Sequence, residues 1–218
     1  MDHRLREEIR ELARRLASDS DQSELLDKLI DHLQEKNVEL AARSRRGAIL
    51  IALLVLLFEL VTRNLVGEIS FLSIKLSKLA FVTACIPPIT AYMVSSLVMT
   101  SKIAEVVREA QRALIESAHP SWPTSGLHDL IAPDYSPLFP RIPTVLTNKL
   151  VRGGLQLLIE LTEVLLLIIG PVCFWGYAYV RLFDLRSAAD ALVWCSLAAT
   201  SLFALLAVFI AASKPQNN

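Results

Sequence analysis

LQLLIELTEVLLLIIGPVCFWGYAYV, residues 155–180, decides the architecture. As a helix rising ~1.5 Å per residue it would extend ~39 Å, more than a ~30 Å hydrocarbon core requires. Its only charged residues are Glu160 and Glu163. Phe174, Trp175, Tyr177 and Tyr179 gather toward its far end, with Phe183 just beyond, where an interfacial aromatic belt belongs. A run this long and this apolar reads as a membrane span.

Three further apolar runs flank it. Residues 189–212 are rich in Ala, Ser and Thr, and Ser196, Thr200 and Ala204 recur every four residues as a small-residue face suited to close helix contact and self-association. Residues 79–99 contain Pro87-Pro88, which removes two helical N–H donors and predicts a kink, as does Gly170-Pro171 in 155–180. The helix at 79–99 is expected to continue to residue 117, with Ile103, Val106, Val107, Ala110 and Leu114 as an apolar face. Residues 47–62, GAILIALLVLLFELVT, are the shortest run at ~24 Å, and the stems of Arg43, Arg45 and Arg46 can snorkel to extend it while anchoring it at an anionic inner leaflet. Four runs predict an all-α integral membrane protein with four transmembrane helices.

The whole composition agrees. Hydrophobic residues make up 53% of the 218 and mean hydropathy is +0.46, above a soluble domain. The 22 basic and 22 acidic residues cancel, which gives no electrostatic footprint for nucleic acid. Residues 1–46 hold 10 of the basic and 11 of the acidic residues, a charged head on an apolar body. That head contains no apolar signal-peptide core, so the first span is expected to direct insertion. With the N-terminus inside, 17 Lys/Arg fall on the cytoplasmic side and 5 outside, which predicts both termini in the cytoplasm and a multi-pass protein of the inner cell membrane.

The head is patterned. Residues 2–17 carry Leu5, Ile9, Leu12 and Leu16 on one helical stripe, and Ser18–Asp21 breaks it. A second helix carries Leu26, Ile30, Leu33, Asn37 and Leu40 at spacings of 4, 3, 4 and 3, with Ile30 and Asn37 at heptad position a and the leucines at d. Two readings stand: amphipathic helices folded on one another within the chain, or a short coiled coil between subunits with Asn37 setting register. No break separates this helix from the span at 47–62. The remaining pieces are an extracellular segment at 63–78, whose alternation suits a small β-hairpin, a Pro-rich cytoplasmic loop at 118–154, an extracellular loop at 181–188 and a short tail at 213–218.

Chemistry is sparse. Glu59, Glu160 and Glu163 are the acids within spans, and such groups face a bundle interior, pair, or protonate. Glu160 and Glu163 share a helix face, so they would either line a proton- or cation-handling site or meet interfacial water and the nearby Lys149 and Arg152. The prolines would act as static kinks, as hinges, or as a source of free carbonyls for an ion. Cys85, Cys173 and Cys195 lie in apolar runs with no CxxC or Cys/His cluster, and the four histidines match no metal or catalytic spacing. No phosphate loop, nucleophile elbow or nucleotide fingerprint is present. The expectation is a non-enzymatic protein without cofactor or metal. It would contact membrane lipids, form a homo-oligomer, and engage a soluble cytoplasmic protein as scaffold, sensor or membrane effector, including a gated pore. In architecture alone it resembles small four-span bacterial proteins with a cytoplasmic helical arm, which include effectors and sensor subunits of defence or stress systems. The alternative is a small proton or cation channel or transporter subunit using Glu59, Glu160 and Glu163.

Overall fold

The computed structural model describes residue 11 and residues 20–63, 69–71, 74–76, 79–118, 149–185 and 190–213. The expected helix at 2–17, nearly all of the Pro-rich loop and the tail beyond Ser213 lie outside the described residues. The described residues are helical apart from two three-residue strands. The helices are α1 (Ser20–Thr62), α2 (Leu79–Ala118), α3 (Lys149–Val164), α4 (Gly170–Leu185) and α5 (Ala191–Ala212), with a π turn, Leu165–Ile169, joining α3 to α4. The strands β1 (Ile69–Phe71) and β2 (Ile74–Leu76) pair antiparallel, Ile69 opposite Leu76. Among the described residues three helices are long and apolar enough to cross a membrane: Phe81–Glu116, Gly153–Leu185 and Ala191–Ala212. The fourth apolar run, 47–62, is the end of the 43-residue α1, bounded by Arg45 and Arg46 and interrupted by Glu59.

The described residues divide into two compact units, one within Arg46–Met99 and Thr162–Ala212, the other within Met1–Arg45, Thr100–Leu161 and Ser213–Asn218. The first unit is an apolar helical body. Its core draws Phe58 from α1, Ala84 and Ile86 from α2, Phe174, Ala178, Tyr179 and Leu182 from α4, and Val193 from α5. Phe58 meets the Phe174 ring edge-on, with centroids 5.4 Å apart. On α4 the buried positions Pro171, Phe174, Ala178 and Leu182 recur every three or four residues, one stripe of the helix. The opposite faces stay apolar: Ile49, Leu50, Leu53 and Leu56 of α1 and Leu202, Leu205, Val208 and Phe209 of α5 are all exposed. An apolar surface of that extent is unfavourable in water and ordinary in lipid.

Local signals explain the helix ends. Asp190 caps α5, its Oδ1 accepting the Leu192 N–H at 2.9 Å. At the end of α1, Thr62 Oγ1 donates to Phe58 O at 2.9 Å and the Arg63 N–H to Glu59 O at 3.1 Å, which satisfies carbonyls of the last turn. The π turn has an equally local cause. Pro171 has no N–H for the carbonyl four residues earlier, and the ladder slips so that the Gly170 N–H reaches Leu165 O. A Cβ at Gly170 would stand 3.3 Å from that same oxygen, so glycine suits the slip. The helical assignment of α2, by contrast, continues through Pro87 and Pro88.

The second unit holds the charged half of α1 and the far end of α2. Leu26, Ile30, Asn37 and Leu40 are buried and Leu33 is half-buried, so the heptad stripe faces inward within one chain. Toward the end of α2, Gln111, Ala113, Leu114 and Ile115 are buried. The apolar face expected from periodicity is displaced: Leu114 is buried, but Ile103 and Val106 are exposed. Including Gln111 in the buried face is what allows it to meet Asn37. On the outer surface Glu24 pairs with Lys28 at 2.7 Å, and Lys36 donates to Glu39 at 2.7 Å, a hydrogen bond that holds the Glu39 carboxyl below its ordinary value.

Close approach of α1 and α2 within the body depends on Gly47, where an added Cβ would lie 2.8 Å from Leu97 Cδ2. In Gly47→Ala the helix-propensity gain of ~1 kcal/mol opposes a ~0.5–1.5 kcal/mol cost of moving the leucine off its rotamer, so the change should be near neutral. Gly47→Leu overpacks the contact and should lower stability by ~1–3 kcal/mol. Thermal unfolding of both variants in detergent measures the difference.

Candidate functional site

Two clusters of polar groups tie the described helices of the body together. The deeper one begins with the prolines. Pro88 has no N–H, so the Ala84 carbonyl one turn back loses its helical partner. Ser196 of α5 supplies a replacement, its Oγ donating to Ala84 O at 2.6 Å. One turn further along α5, Thr200 Oγ1 donates to Ser196 O at 2.9 Å. Both hydroxyl protons are therefore committed. Tyr179 OH of α4 lies 3.1 Å from Ser196 Oγ and 2.6 Å from Thr200 Oγ1, and its proton is directed at these two oxygens. Ser196, Thr200 and Tyr179 are buried, and each of their three hydroxyl protons has an acceptor. Beside them Trp175 Nε1 donates to Thr90 Oγ1 at 3.1 Å, and Thr90 donates on to Pro87 O at 2.7 Å. The cluster joins α2, α4 and α5 by side chains that all find partners.

The outer cluster surrounds Glu59. Arg63, one turn further along α1, approaches Glu59 Oε1 at 2.5 Å, and Tyr177 OH of α4 donates to Oε2 at 2.7 Å. Arg181 Nε donates to Tyr177 OH at 3.3 Å, and its guanidinium lies 5.8 Å from the centre of that ring. The Glu59 side chain is 30% exposed and that of Arg63 61%, so the pair sits at a wet margin. There a charge pair persists without the full cost of burial, and its net contribution is modest.

Of the acids singled out from sequence, Glu59 and Glu163 do not converge. Glu59 bonds Tyr177, which lies fourteen residues beyond Glu163 on the same helical stretch, ~20 Å at the helical rise. Glu160 is exposed and Glu163 half-buried. Among the small residues, Ser196 and Thr200 are engaged inside the chain, while Ala204 is half-buried. Arg43, Arg45 and Arg46 are exposed. Cys85 is half-buried, and Cys173 and Cys195 point outward from the body. Among the described residues no group of three or more His, Cys, Asp or Glu side chains could hold a metal ion.

The charged unit has its own polar centre. Asn37 Nδ2 donates to Gln111 Oε1 at 2.7 Å, with the two residues 6% and 2% exposed. Gln111 Nε2 has no hydrogen-bond partner among the described residues. A buried donor left in that state costs ~1–3 kcal/mol, comparable to what the Asn37 bond contributes. Sequence reasoning found Asn37 but missed Gln111. The signal was present, because Gln111 stands four after Val107 and three before Leu114, on the expected apolar face. Tyr179 was also missed. Its place among the aromatics suggested an interfacial role, whereas its hydroxyl is drawn inward by Ser196 and Thr200.

Removing the serine hydroxyl tests the inner cluster. Ser196→Ala strands the Ala84 carbonyl, and polar contacts within membrane bundles average ~0.6 kcal/mol with a maximum near ~1.7 kcal/mol, so a loss of about 1 kcal/mol is expected. Because Ser196 and Tyr179 act together, Tyr179→Phe added to Ser196→Ala should cost less than the sum of the single changes. A double-mutant cycle on unfolding in detergent reads both values.

No family model matches the chain, and neither a curated protein nor a solved structure matches it.

Proposed function

We propose that the chain is a four-span, non-enzymatic protein of the inner cell membrane, with both termini in the cytoplasm. It self-associates and engages a soluble cytoplasmic protein as scaffold, sensor or membrane effector. The observation that carries the reading is the state of the membrane acids. Glu59 has both carboxylate oxygens engaged, by Arg63 and Tyr177, ~20 Å along the helix from Glu163. Every hydroxyl proton of the inner cluster is bonded as well. A proton or cation path needs groups within reach of one another and free to change partners. A body whose function is to hold helices in place does not.

Two observations support α1 as the fourth span. Phe58 is fully buried in one core with residues of the three helices that are long and apolar enough to cross. Ile49, Leu50, Leu53 and Leu56 are exposed on the other side of the same run, where lipid would cover them. In this topology the exposed Arg43, Arg45 and Arg46 meet the anionic inner leaflet, the β1–β2 pair lies outside, and the charged unit lies in the cytoplasm. Ile103 and Val106, exposed three residues apart on α2, add apolar contact area for a partner near the membrane.

Topology and transport are separable measurements. Tags at both termini should be digested by protease only in inside-out vesicles, and a cysteine placed between β1 and β2 should be labelled from outside. Chemical crosslinking in native membranes should yield oligomers. Proteoliposomes containing the wild-type chain should show no proton or cation flux. Flux that disappears in Glu160→Gln with Glu163→Gln, while the protein stays folded, would overturn the scaffold reading in favour of a transporter.

A further inference from the structure

We infer that the seam of Leu26, Ile30, Leu33, Asn37 and Leu40 is an exchangeable interface, buried within one chain, where α2 meets it at Asn37, and covered in a second state by the same seam of another copy in an arm-to-arm coiled coil. This rests on the self-association proposed above. Three observations carry it. The seam has heptad spacing with asparagine at an a position, the residue that sets register between parallel helices at some cost in stability. Copies inserted in one membrane with the same topology can pair their arms only in parallel, which brings Asn37 opposite Asn37 of the second copy. Each amide then has a donor and an acceptor to offer the other.

The cover within one chain is incomplete at two places. It leaves Leu33, the central d residue, half-buried, where a coiled coil would bury it. It also leaves Gln111 Nε2 without a hydrogen-bond partner among the described residues, although Gln111 is only 2% exposed. Withdrawal of α2 would return that donor to water, and pairing of two arms would bury Leu33. The intramolecular state is held by Asn37 to Gln111, on a stretch of α2 where Leu114 and Ile115 are buried as well. Weakening the α2 side should therefore raise pairing between copies without altering the seam.

The experiment uses the full-length chain in membrane vesicles, with Cys85, Cys173 and Cys195 replaced by alanine and Leu33→Cys introduced. Mild oxidation should give a disulfide-linked dimer, and Gln111→Ala should raise its yield several-fold. Ile115→Ala, which weakens the α2 cover at a different residue, should do the same. Glu35→Cys, on the outer face of the helix, should stay at background and so excludes random collision. Yields at position 33 that are unchanged or lower in both α2 variants would overturn the exchange. If an amine-reactive crosslinker still captures oligomers in that case, self-association stands through another surface. Monomer by every crosslinker would remove the self-association reading as well.

Discussion

A carbonyl released by a proline within an apolar helical bundle must find another donor, and much of the body follows from how one such carbonyl is satisfied. Pro88 releases Ala84 O, and Ser196 reaches it from α5. The Ser196 hydroxyl is thereby oriented with its lone pairs toward Tyr179, and Thr200 closes the group by bonding the Ser196 carbonyl. Three helices are tied together at one depth by one missing N–H. The hydrogen bonds are individually modest, but the alternative is an unpaired polar group where no water is at hand, and that asymmetry makes the arrangement specific. The second proline site is resolved differently. Around Gly170-Pro171 the surrounding residues Leu165, Leu166, Ile168 and Ile169 are apolar and exposed, and the backbone adapts by a π turn. Two similar sequence signals have different outcomes: at one a hydroxyl from another helix meets the freed carbonyl, and at the other the backbone ladder itself slips.

The acids obey the same rule of local satisfaction. Glu59 lies near the end of its apolar run, one turn from Arg63 and opposite Tyr177, so its charge is met where it arises. In the charged unit the rule is followed less completely. Asn37 is matched by Gln111 while the amide nitrogen of Gln111 is not matched in turn. A buried amide pair confers register more than stability, and a pair with one donor unmet marks the contact that yields most easily.

How much of this was legible in the sequence depends on whether the controlling interaction is local. Helical class, the positions of the apolar runs and the continuity of α1 through Arg43–Gly47 depend on composition and on neighbours within a turn or two. The start of α5 at Asp190 belongs to the same group. The partners of Ser196, Thr200, Tyr179, Glu59 and Asn37 do not. The partners on other helices lie 17 to 118 residues away, and nothing in a spacing of small residues says whether the face will meet its own chain or another. The small-residue pattern at Ser196 and Thr200 correctly indicated a close helix contact and left its partner open. Gly47 is similar, because its role depends on Leu97, fifty positions on.

The sequence by itself determined that this is a helical chain with runs apolar enough to cross a membrane, because hydropathy sums over consecutive residues and needs no partner; it predicted four such spans, and three of the described helices are long and apolar enough. It also determined the heptad seam, which is a property of one helix. Only the tertiary structure decided that α2 meets that seam at Asn37, that the freed Ala84 carbonyl is met by Ser196, and that Glu59 and Glu163 stand apart. Those outcomes depend on which side chains distant in sequence come within ~3 Å of one another, the range over which hydrogen bonds form, and no local pattern carries that information.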